Sequence, residues 1–262
     1  MARSIIGGLV AQGKNADELA ACDPNAGQLE ALANDFGVRV STDNKEMVCS
    51  ADVVVLAVKP QVMKQVCQPL RESIPSGAVV ISIAAGINCA SLQRWLGPDR
   101  ALVRCMPNTP SLVQCGASGL FASPEVSGSQ KQLAQGIMEA VGIALWLDEE
   151  AAIDPVTAVS GSGPAYFFLM LEAMVDAGEA QGLSREVASD LAIQTAAGAA
   201  KLAQESDVDL AELRRRVTSP GGTTERAILS FEKNGFRQII ASAMQSCGDR
   251  SKEMAKELGE SE

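Results

Sequence analysis

Short apolar, β-branched runs alternate with segments of helical periodicity along roughly the first 150 residues. The runs predict seven strands: Leu19–Cys22, Val38–Ser41, Val53–Val58, Val79–Ile83, Leu102–Arg104, Gly116–Phe121 and Ile143–Leu147. Strands that alternate with helices form right-handed crossovers and a mainly parallel sheet covered on both faces. Val53–Val58 is apolar at every position, as a central parallel strand requires. The pattern therefore predicts a doubly wound, Rossmann-like α/β fold.

The strand pattern ends near Glu150, and helical segments follow. The predicted helices are Ala165–Ala180, Arg185–Gln204, Leu210–Arg216, Thr224–Lys233 and Phe236–Leu258. The first of these is apolar around most of its circumference, so we expect it to be buried centrally or against a second subunit. The chain is thus predicted to comprise an α/β domain at residues 1–150 and an all-α domain at residues 151–262.

The beginning of the chain departs from this plan. Arg3–Gln12 has helical periodicity and ends at Gly13, so no strand is predicted before the first helix. In a doubly wound dinucleotide-binding domain, the first strand and its glycine-rich turn supply the amides that hold the pyrophosphate. That element is missing from the predicted order.

Composition excludes several classes of protein. The net charge of −10 argues against binding to nucleic acid or to an anionic membrane surface. The seven cysteines include no CxxC pair, which indicates free thiols in a reducing compartment and no zinc site. Without a secretory signal or an 18-residue apolar run, we expect a cytoplasmic protein. The absence of histidine excludes Ser/His/Asp triads and HExxH metal sites.

Candidate ligand loops follow three of the predicted strands. They are Ala57-Val58-Lys59-Pro60, Ser82-Ile83-Ala84-Ala85-Gly86 and Met106-Pro107-Asn108-Thr109-Pro110. Ligands of open α/β sheets bind at the carboxyl ends of the strands, and small residues let a ligand approach the backbone. Asp23 follows another strand, where a carboxylate would bind the ribose of NAD or would simply begin a turn. Each loop alone could equally be a surface turn.

Two hydroxyl-rich segments precede predicted helices. Ser160-Gly161-Ser162-Gly163-Pro164 is not a GxSxG motif, and no histidine could activate a serine there, so we interpret Ser162 as a cap of the next helix. Thr218-Ser219-Pro220-Gly221-Gly222-Thr223-Thr224 lies directly before another helix. Free amides at a helix N-terminus can bind a carboxylate or phosphate, although the segment could also be only a cap.

Taken together, these segments resemble the pyrroline-5-carboxylate reductase family. The matching residues are Asp43–Glu46, Ala57–Pro60, Ser82–Gly86, Met106–Pro110, Ser160–Tyr166 and the region from Leu213 through Thr218–Thr224 to Ala227, in the family's order across nearly the whole chain. The resemblance implies reduction of 1-pyrroline-5-carboxylate to L-proline by hydride from NADPH or NADH, in a homodimer or larger homo-oligomer. It implies cofactor contacts from Asp23, Asn25, Asn44, Ala57, Val58, Lys59, Pro60, Ile83, Ala84 and Ala85.

The same resemblance implies a substrate site on the second hydroxyl-rich segment. Its residues are Arg216, Ser219, Gly222, Thr223 and Thr224, although the family often has an amide residue where this chain has Arg216. We expect the substrate carboxylate on the amides of Gly222, Thr223 and Thr224, and the Thr224 hydroxyl as the catalytic group at the imine nitrogen. Most of the rate enhancement would come from proximity and orientation.

One departure from the family leads to a separate expectation. Family members begin with a strand and a Gly-x-Gly-Asn-Met-Ala turn, of which Met1-Ala2 matches only the end. We therefore expect Met1 to be an internal methionine and the 262-residue form to show little turnover. The alternatives are a related imine or β-hydroxyacid reductase, and a catalytically dead protein that retains the helical domain for oligomerisation. Binding of NADPH separates the last from the others.

Overall fold

A computed structural model describes residues 1–259 and confirms the seven predicted strands. Their bounds are β1 Ala20–Cys22, β2 Arg39–Ser41, β3 Val53–Leu56, β4 Val79–Ser82, β5 Leu102–Met106, β6 Gly116–Ala122 and β7 Gly142–Trp146. β1 and β2 form a two-stranded sheet, and β3 to β7 form a five-stranded sheet in sequential order. All pairs are parallel except β5 with β6. The expected mainly parallel α/β architecture is confirmed.

Helices, with short turns and loops, connect the strands and form most of the chain after β7. They are α1 Ala2–Ala11, α2 Ala26–Phe36, α3 Asn44–Val48, α4 Met63–Leu70, α5 Cys89–Leu96, α6 Gly128–Glu139, α7 Ile153–Val156, α8 Gly163–Ala180, α9 Arg185–Gln204, α10 Leu210–Arg216, α11 Thr223–Lys233 and α12 Phe236–Gly259. Short polar side chains cap several N-termini, because their oxygens accept the otherwise unpaired amides of the first turn. Asn25, Asp43 and Asn88 do so for α2, α3 and α5.

Alternate side chains of the central strands enter two separate cores. Val54, Val80 and Leu102 pack in one cluster with α4 and α5. Val79, Ile81 and Val103 pack in the other cluster, which includes residues of α1 and α6. Successive side chains of a strand point to opposite faces of its sheet. The continuous apolar character of these strands is therefore explained by burial on both faces.

The chain divides into two compact units. The first comprises Met1–Pro164 together with the segment that begins at Ser246, and the second comprises Ala165–Gln245. The second unit is entirely helical, as predicted. Its own buried core is small and consists of Val175, Ala188 and Ala192, with Leu171 packed against them.

Helix α8 is much less buried within one chain than its apolar sequence predicts. Phe167, Phe168 and Leu169 are 65%, 66% and 67% exposed. The expectation of central burial is wrong for the single chain, because the small core of this unit covers only part of the helix. A contiguous apolar surface of this kind marks an interaction site.

The helical run Glu150–Ala180, which contains α7 and α8, is long and apolar enough to cross a membrane by length and composition alone. The sequence analysis expected no apolar run of 18 residues, and this helical run differs from that expectation. A core or interface helix of a soluble protein satisfies the same criterion, so the run by itself identifies no membrane segment.

Candidate functional site

The loops predicted after β3, β4 and β5 lie at one edge of the sheet. Leu56 pairs with Ser82, and Ser82 pairs with Arg104, in parallel register. The carboxyl ends of these strands are consequently adjacent, and the cofactor candidates Ala57–Pro60 and Ile83–Ala85 leave the sheet side by side. Strand pairing thus brings together loops that are about 25 residues apart in sequence.

The loop after β4 is fixed from behind by the end of α12. Gly86 has a φ of +72°, a left-handed conformation that favours glycine. A Cβ atom at this position would lie 3.2 Å from both Met254 and Leu258. Any larger residue would therefore strain the backbone and press on α12. This close packing holds Ile83–Ala85 at the sheet edge.

The side-chain amide of Asn108 fixes the loop after β5 through both its donor and its acceptor. Its Nδ2 donates to the carbonyl oxygen of Ser160 at 3.0 Å, and its Oδ1 accepts the N–H of Ala117 at 2.9 Å. The side chain is buried, so both bonds satisfy groups that water does not reach. The sequence indicated a residue with a donor and an acceptor here, and the structure uses both.

Asp23, Asn25 and Asn44 lie beyond the carboxyl ends of β1 and β2, which pair at Cys22 and Ser41. Asp23 accepts the N–H of Asn25 at 2.8 Å, and the Asn25 Oδ1 accepts the N–H groups of Gly27 and Gln28. Asn44 is the first residue of α3. Both asparagines thus begin helices at the edge where the resemblance places the adenosine ribose.

Two carboxylates, Asp43 and Glu46, also lie near this edge; the sequence analysis named them as matching residues but gave them no role in the site. The thiol of Cys22 donates to the carbonyl oxygen of Asp43 at 3.6 Å. Burial raises the pKa of Cys22, and the negative charges of Asp43 and Glu46 raise it further. The carboxylates of Asp43 and Glu46 therefore lie close enough to Cys22 to disfavour its thiolate form.

Glu150 was also missed, although it connects three elements. Its Oε1 accepts a bond from Nη1 of Arg104 at 3.0 Å and another from the N–H of Cys89 at 2.7 Å. Arg104 lies in the middle of β5 and is 7% exposed. A charged residue inside an otherwise apolar strand predicts that a partner exists. The sequence does not identify that partner, because it lies 46 positions away.

The candidate substrate segment forms a turn before α11 in the second unit. Gly221 has a φ of +73°, and its N–H donates to Oε2 of Glu225 at 2.8 Å. The N–H of Gly222 donates to the carbonyl oxygen of Ser219 at 3.0 Å. Among the hydrogen bonds of residues 1–259, none uses the amides of Thr223 or Thr224. The structure thus leaves two of the three expected anion-binding amides available, and the Gly222 amide closes the turn.

Arg216 is already engaged by a carboxylate of its own helix. Its Nε lies 2.9 Å from Oε1 of Glu212, and Nε of Arg215 lies 2.6 Å from Oε2 of the same residue. Hydrogen bonds from Arg215 and Arg216 lower the pKa of Glu212 to about 2. The ion pair is exposed to solvent. It therefore orients the Arg216 side chain but contributes little free energy.

Ser162 lies directly before α8. Its hydroxyl accepts a hydrogen bond from the thiol of Cys247 at 3.2 Å, and its N–H donates to the carbonyl oxygen of Thr157. Residues Thr157–Gly161 form a π-helical turn that leads through Ser162 into α8. The segment is thus a helical junction, and the interpretation of Ser162 as the cap of α8 stays a prediction.

The described residues contain no group of three histidine, cysteine, aspartate or glutamate side chains placed to hold a metal ion. The fold and the loops at the carboxyl ends of its strands instead define a Rossmann-type oxidoreductase. A family model described as NADP oxidoreductase, coenzyme F420-dependent, matches residues 1–86. A second, described as pyrroline-5-carboxylate reductase dimerisation, matches residues 150–254.

Relatives identify the family within this class. The pyrroline-5-carboxylate reductase of Pseudomonas aeruginosa is 57% identical over 260 residues, which cover 99% of this chain and 95% of that protein. A solved pyrroline-5-carboxylate reductase from Coxiella burnetii has a TM-score of 0.95 at 42% identity, covering 97% of this chain and 95% of that one. The Plasmodium falciparum enzyme, solved with NADP bound, has a TM-score of 0.84 at 30% identity, covering 96% and 93%. The chain belongs to the pyrroline-5-carboxylate reductase family.

Proposed function

We propose that this protein reduces 1-pyrroline-5-carboxylate to L-proline with NADPH or NADH, the final step of proline biosynthesis. The observation that carries the proposal is the 57% identity to the Pseudomonas aeruginosa reductase over almost the whole of both chains. The NADP oxidoreductase model and the NADP-bound Plasmodium falciparum structure support the choice of cofactor. The matched region covers 260 residues and so extends through both units.

The first unit offers a site that suits parts of a dinucleotide. Ala57, Ala84 and Ala85 are small residues on neighbouring loops, so a flat ring can approach the backbone there. Asn25 and Asn44 begin helices α2 and α3 at the ends of β1 and β2, where the ribose of a dinucleotide binds in this type of fold. We assign the cofactor to Asp23, Asn25, Asn44, Ala57–Pro60 and Ile83–Ala85. When bound, the nicotinamide supplies the hydride.

The second unit supplies the substrate contacts in this proposal. The amides of Thr223 and Thr224 begin an 11-residue helix, and the N-terminal end of its dipole favours the substrate carboxylate. Arg216 adds a positive charge, and Ser219 and Gly222 shape the turn. The Thr224 hydroxyl donates a hydrogen bond to the imine nitrogen as the adjacent carbon is reduced. This arrangement needs no histidine.

We also propose that the working enzyme is a homodimer or larger homo-oligomer in the cytoplasm. The match to the dimerisation model and the exposed apolar face of α8 support self-association. Seven free thiols are compatible with a reducing compartment.

The test is oxidation of NADPH by the purified chain, followed by absorbance with 1-pyrroline-5-carboxylate as substrate and L-proline measured as product. We expect one L-proline for each NADPH oxidised, even though the sequence analysis expects the 262-residue form to turn over slowly. Parallel reactions test the alternative that the chain is a related reductase. They measure reduction of other cyclic imines and oxidation of β-hydroxyacids. Turnover of one of those and none of 1-pyrroline-5-carboxylate would contradict the substrate. Failure to bind NADPH at equilibrium would contradict the enzyme assignment.

A further inference from the structure

The loop after β4 is held at three points. At its start, the N–H of Ile83 donates to a carbonyl oxygen of β3 at 3.2 Å. In its middle, Gly86 packs closely against α12. At its end, the N–H of Cys89, the first residue of α5, donates to Oε1 of Glu150 at 2.7 Å. The cofactor candidates Ile83–Ala85 thus lie within a segment that is held at both ends.

Glu150 joins the end of this loop to β5. The oxygen that accepts the N–H of Cys89 also accepts a bond from Nη1 of Arg104 at 3.0 Å. Asn88 caps the same helix by accepting the N–H of Ser91 at 2.8 Å. A carboxylate at a helix N-terminus is favoured by the helix dipole. A single carboxylate oxygen therefore fixes the start of α5 relative to β5.

Asp154 holds the part of α12 that packs on the loop. Its Oδ1 accepts the hydroxyl of Ser251 at 2.7 Å, and Ser251 is 7% exposed. Met254, three positions further along α12, would lie 3.2 Å from a Cβ atom at Gly86. The bond between Asp154 and Ser251 therefore fixes the turn of α12 that supports the middle of the loop.

The two carboxylates belong to one short segment. Glu150 begins the turn Glu150–Ala152, and Asp154 lies four positions later in α7. Both donors that they accept from, the N–H of Cys89 and the hydroxyl of Ser251, belong to buried residues. Hydrogen bonds to charged groups in poorly solvated surroundings are strong. One segment thus holds the loop both at its end and from behind.

We propose that Glu150 and Asp154, the carboxylate pair, are positioning residues for hydride transfer, because they hold Ile83–Ala85 where the nicotinamide needs that loop. The inference rests on the proposed function, which assigns the loop to the cofactor. Each carboxylate acts through another residue, Glu150 through Cys89 and Asp154 through Ser251. A misplacement of about 1 Å can cost about a hundredfold in rate, so a small shift of the loop is sufficient.

Two substitutions of Glu150 separate the reach of the side chain from its charge. Glu150→Asp keeps the charge but is one methylene shorter, so it cannot bond to both α5 and β5. Glu150→Gln keeps the length and the accepting oxygen but loses the charge. A positioning role predicts that the aspartate variant disturbs the loop more, whereas a purely stabilising role predicts the reverse. Glu149→Asp, at an exposed position, is the control.

Amide hydrogen exchange of the full chain without cofactor measures the loop directly. We expect the amide of Cys89 to exchange at least tenfold faster in Glu150→Asp, because it loses its acceptor and opens locally. In Glu150→Gln and in the control, its rate should stay within threefold of the parent. Faster exchange in the glutamine variant than in the aspartate variant, or no change in either, would overturn the proposal.

A second pair of variants tests Asp154. Asp154→Asn retains an oxygen that can accept the Ser251 hydroxyl, and Asp154→Ala removes it. We expect the amides of Gly86 and Ile87 to exchange at least fivefold faster in the alanine variant and to change little in the asparagine variant. Equal rates in the two would refute the role of Asp154. This pair decides the matter if Glu150→Asp does not fold.

Steady-state kinetics links the loop to the reaction. We expect Glu150→Asp to lower kcat at least fivefold and to leave KM for 1-pyrroline-5-carboxylate within twofold, since the proposed substrate groups lie in the second unit. The isotope effect on kcat with deuterated NADPH should rise, because hydride transfer becomes slower. Glu150→Gln should keep kcat within twofold.

The outcomes of the two measurements are distinguishable. An unchanged kcat in Glu150→Asp, together with faster exchange of the Cys89 amide, would overturn the link between the carboxylate pair and hydride transfer. An inactive parent chain would instead contradict the proposed function. The exchange rates of the cofactor-free chain would then still decide whether the carboxylate pair holds the loop.

Discussion

Glu150 and Arg104 form an ion pair in which the guanidinium is almost fully buried and the carboxylate is partly exposed. Their side chains are 8% and 29% exposed, and Oε1 of Glu150 lies 3.0 Å from Nη1 of Arg104. Loss of one member leaves the other charge without compensation in a low-dielectric environment, which is costlier than loss of the whole pair. Glu150 also accepts the N–H of Cys89, at the start of α5.

We expect Glu150→Gln to lower the free energy of unfolding by about 2 kcal/mol, because partial exposure of the carboxylate moderates the penalty for a broken buried pair. Urea denaturation measures the change. Glu149→Gln alters an exposed neighbour and serves as the control. A loss equal to that of the control would show that the pair does not stabilise the fold.

The Thr224 hydroxyl can be tested without removing the β-branched shape of the side chain. We expect Thr224→Val to reduce kcat by roughly a hundredfold, since a positioned proton donor contributes about that much or more. Thr224→Ser retains the hydroxyl and should remain within a few fold of the parent. The affinity for NADPH, measured at equilibrium, is expected to stay constant in both. A fully active valine variant would remove Thr224 from the mechanism.

Arg215 and Arg216 provide a matched pair, because both bind Glu212 but only Arg216 is assigned to the substrate. We expect Arg216→Ala to raise KM for 1-pyrroline-5-carboxylate roughly tenfold, the loss of about one charge-assisted contact. Arg215→Ala is expected to leave KM within twofold. Steady-state kinetics distinguishes the two, and equal effects would indicate that the helix end matters rather than the Arg216 charge.

The exposed side chains of α8 can be tested by their effect on assembly. Phe168→Glu places a charge in an apolar surface that is 66% exposed in the single chain. We expect at least a tenfold weaker dimer, because burial of a phenylalanine contributes about 1.5 to 3 kcal/mol. Sedimentation velocity across a dilution series gives the dissociation constant. Gln181→Glu, just beyond the helix, is the control, and an unchanged dimer in both variants would place the interface elsewhere.

Three buried thiols make stability depend on alkaline pH. Burial raises the pKa of Cys67, Cys89 and Cys105 from the usual 9.0 to about 12. Below pH 9 the thiols are neutral in both states, and their contribution to stability is complete. Between pH 9 and 12 the unfolded chain loses these protons and the folded chain does not, so stability falls by roughly 1 kcal/mol per thiol for each pH unit.

Urea denaturation at pH 8, 9 and 10 measures this slope. Cys67→Ala is expected to reduce the slope of unfolding free energy against pH by the contribution of one thiol. Cys115→Ser, at an exposed position, should leave this slope unchanged. A slope that is the same in all three proteins would contradict the assignment of the pH dependence to buried thiols.

Features of the fold that depend on local sequence could be predicted, whereas features that depend on contacts between distant residues could not. All seven strands are predicted from their apolar and β-branched runs, and burial on both faces explains that character in the central strands β3, β4 and β5. The same pattern does not mark where a strand ends: the run Val53–Val58 is apolar throughout, but pairing with β4 stops at Leu56. The exposure of α8 and the partnership of Arg104 with Glu150 depend on contacts absent from any local pattern.

The candidate site shows the same division. Loops at strand ends were identified from small residues and proline, and parallel register places them together. The commitment of the Gly222 amide to the turn, and of the Ser162 hydroxyl to Cys247, required coordinates. A run of glycines and hydroxyls predicts many free donors, whereas the turn itself uses some of them.

Asn108 fixes the loop after β5 in a different way from the loops after β3 and β4. Because its amide is held by Ser160 on one side and Ala117 on the other, Met106–Pro110 cannot shift without breaking two buried bonds. Neither an aspartate nor an aliphatic residue could reproduce both interactions. This loop is therefore held rigidly at the sheet edge. Movements of Ala57–Pro60 and Ile83–Ala85 can be measured relative to it.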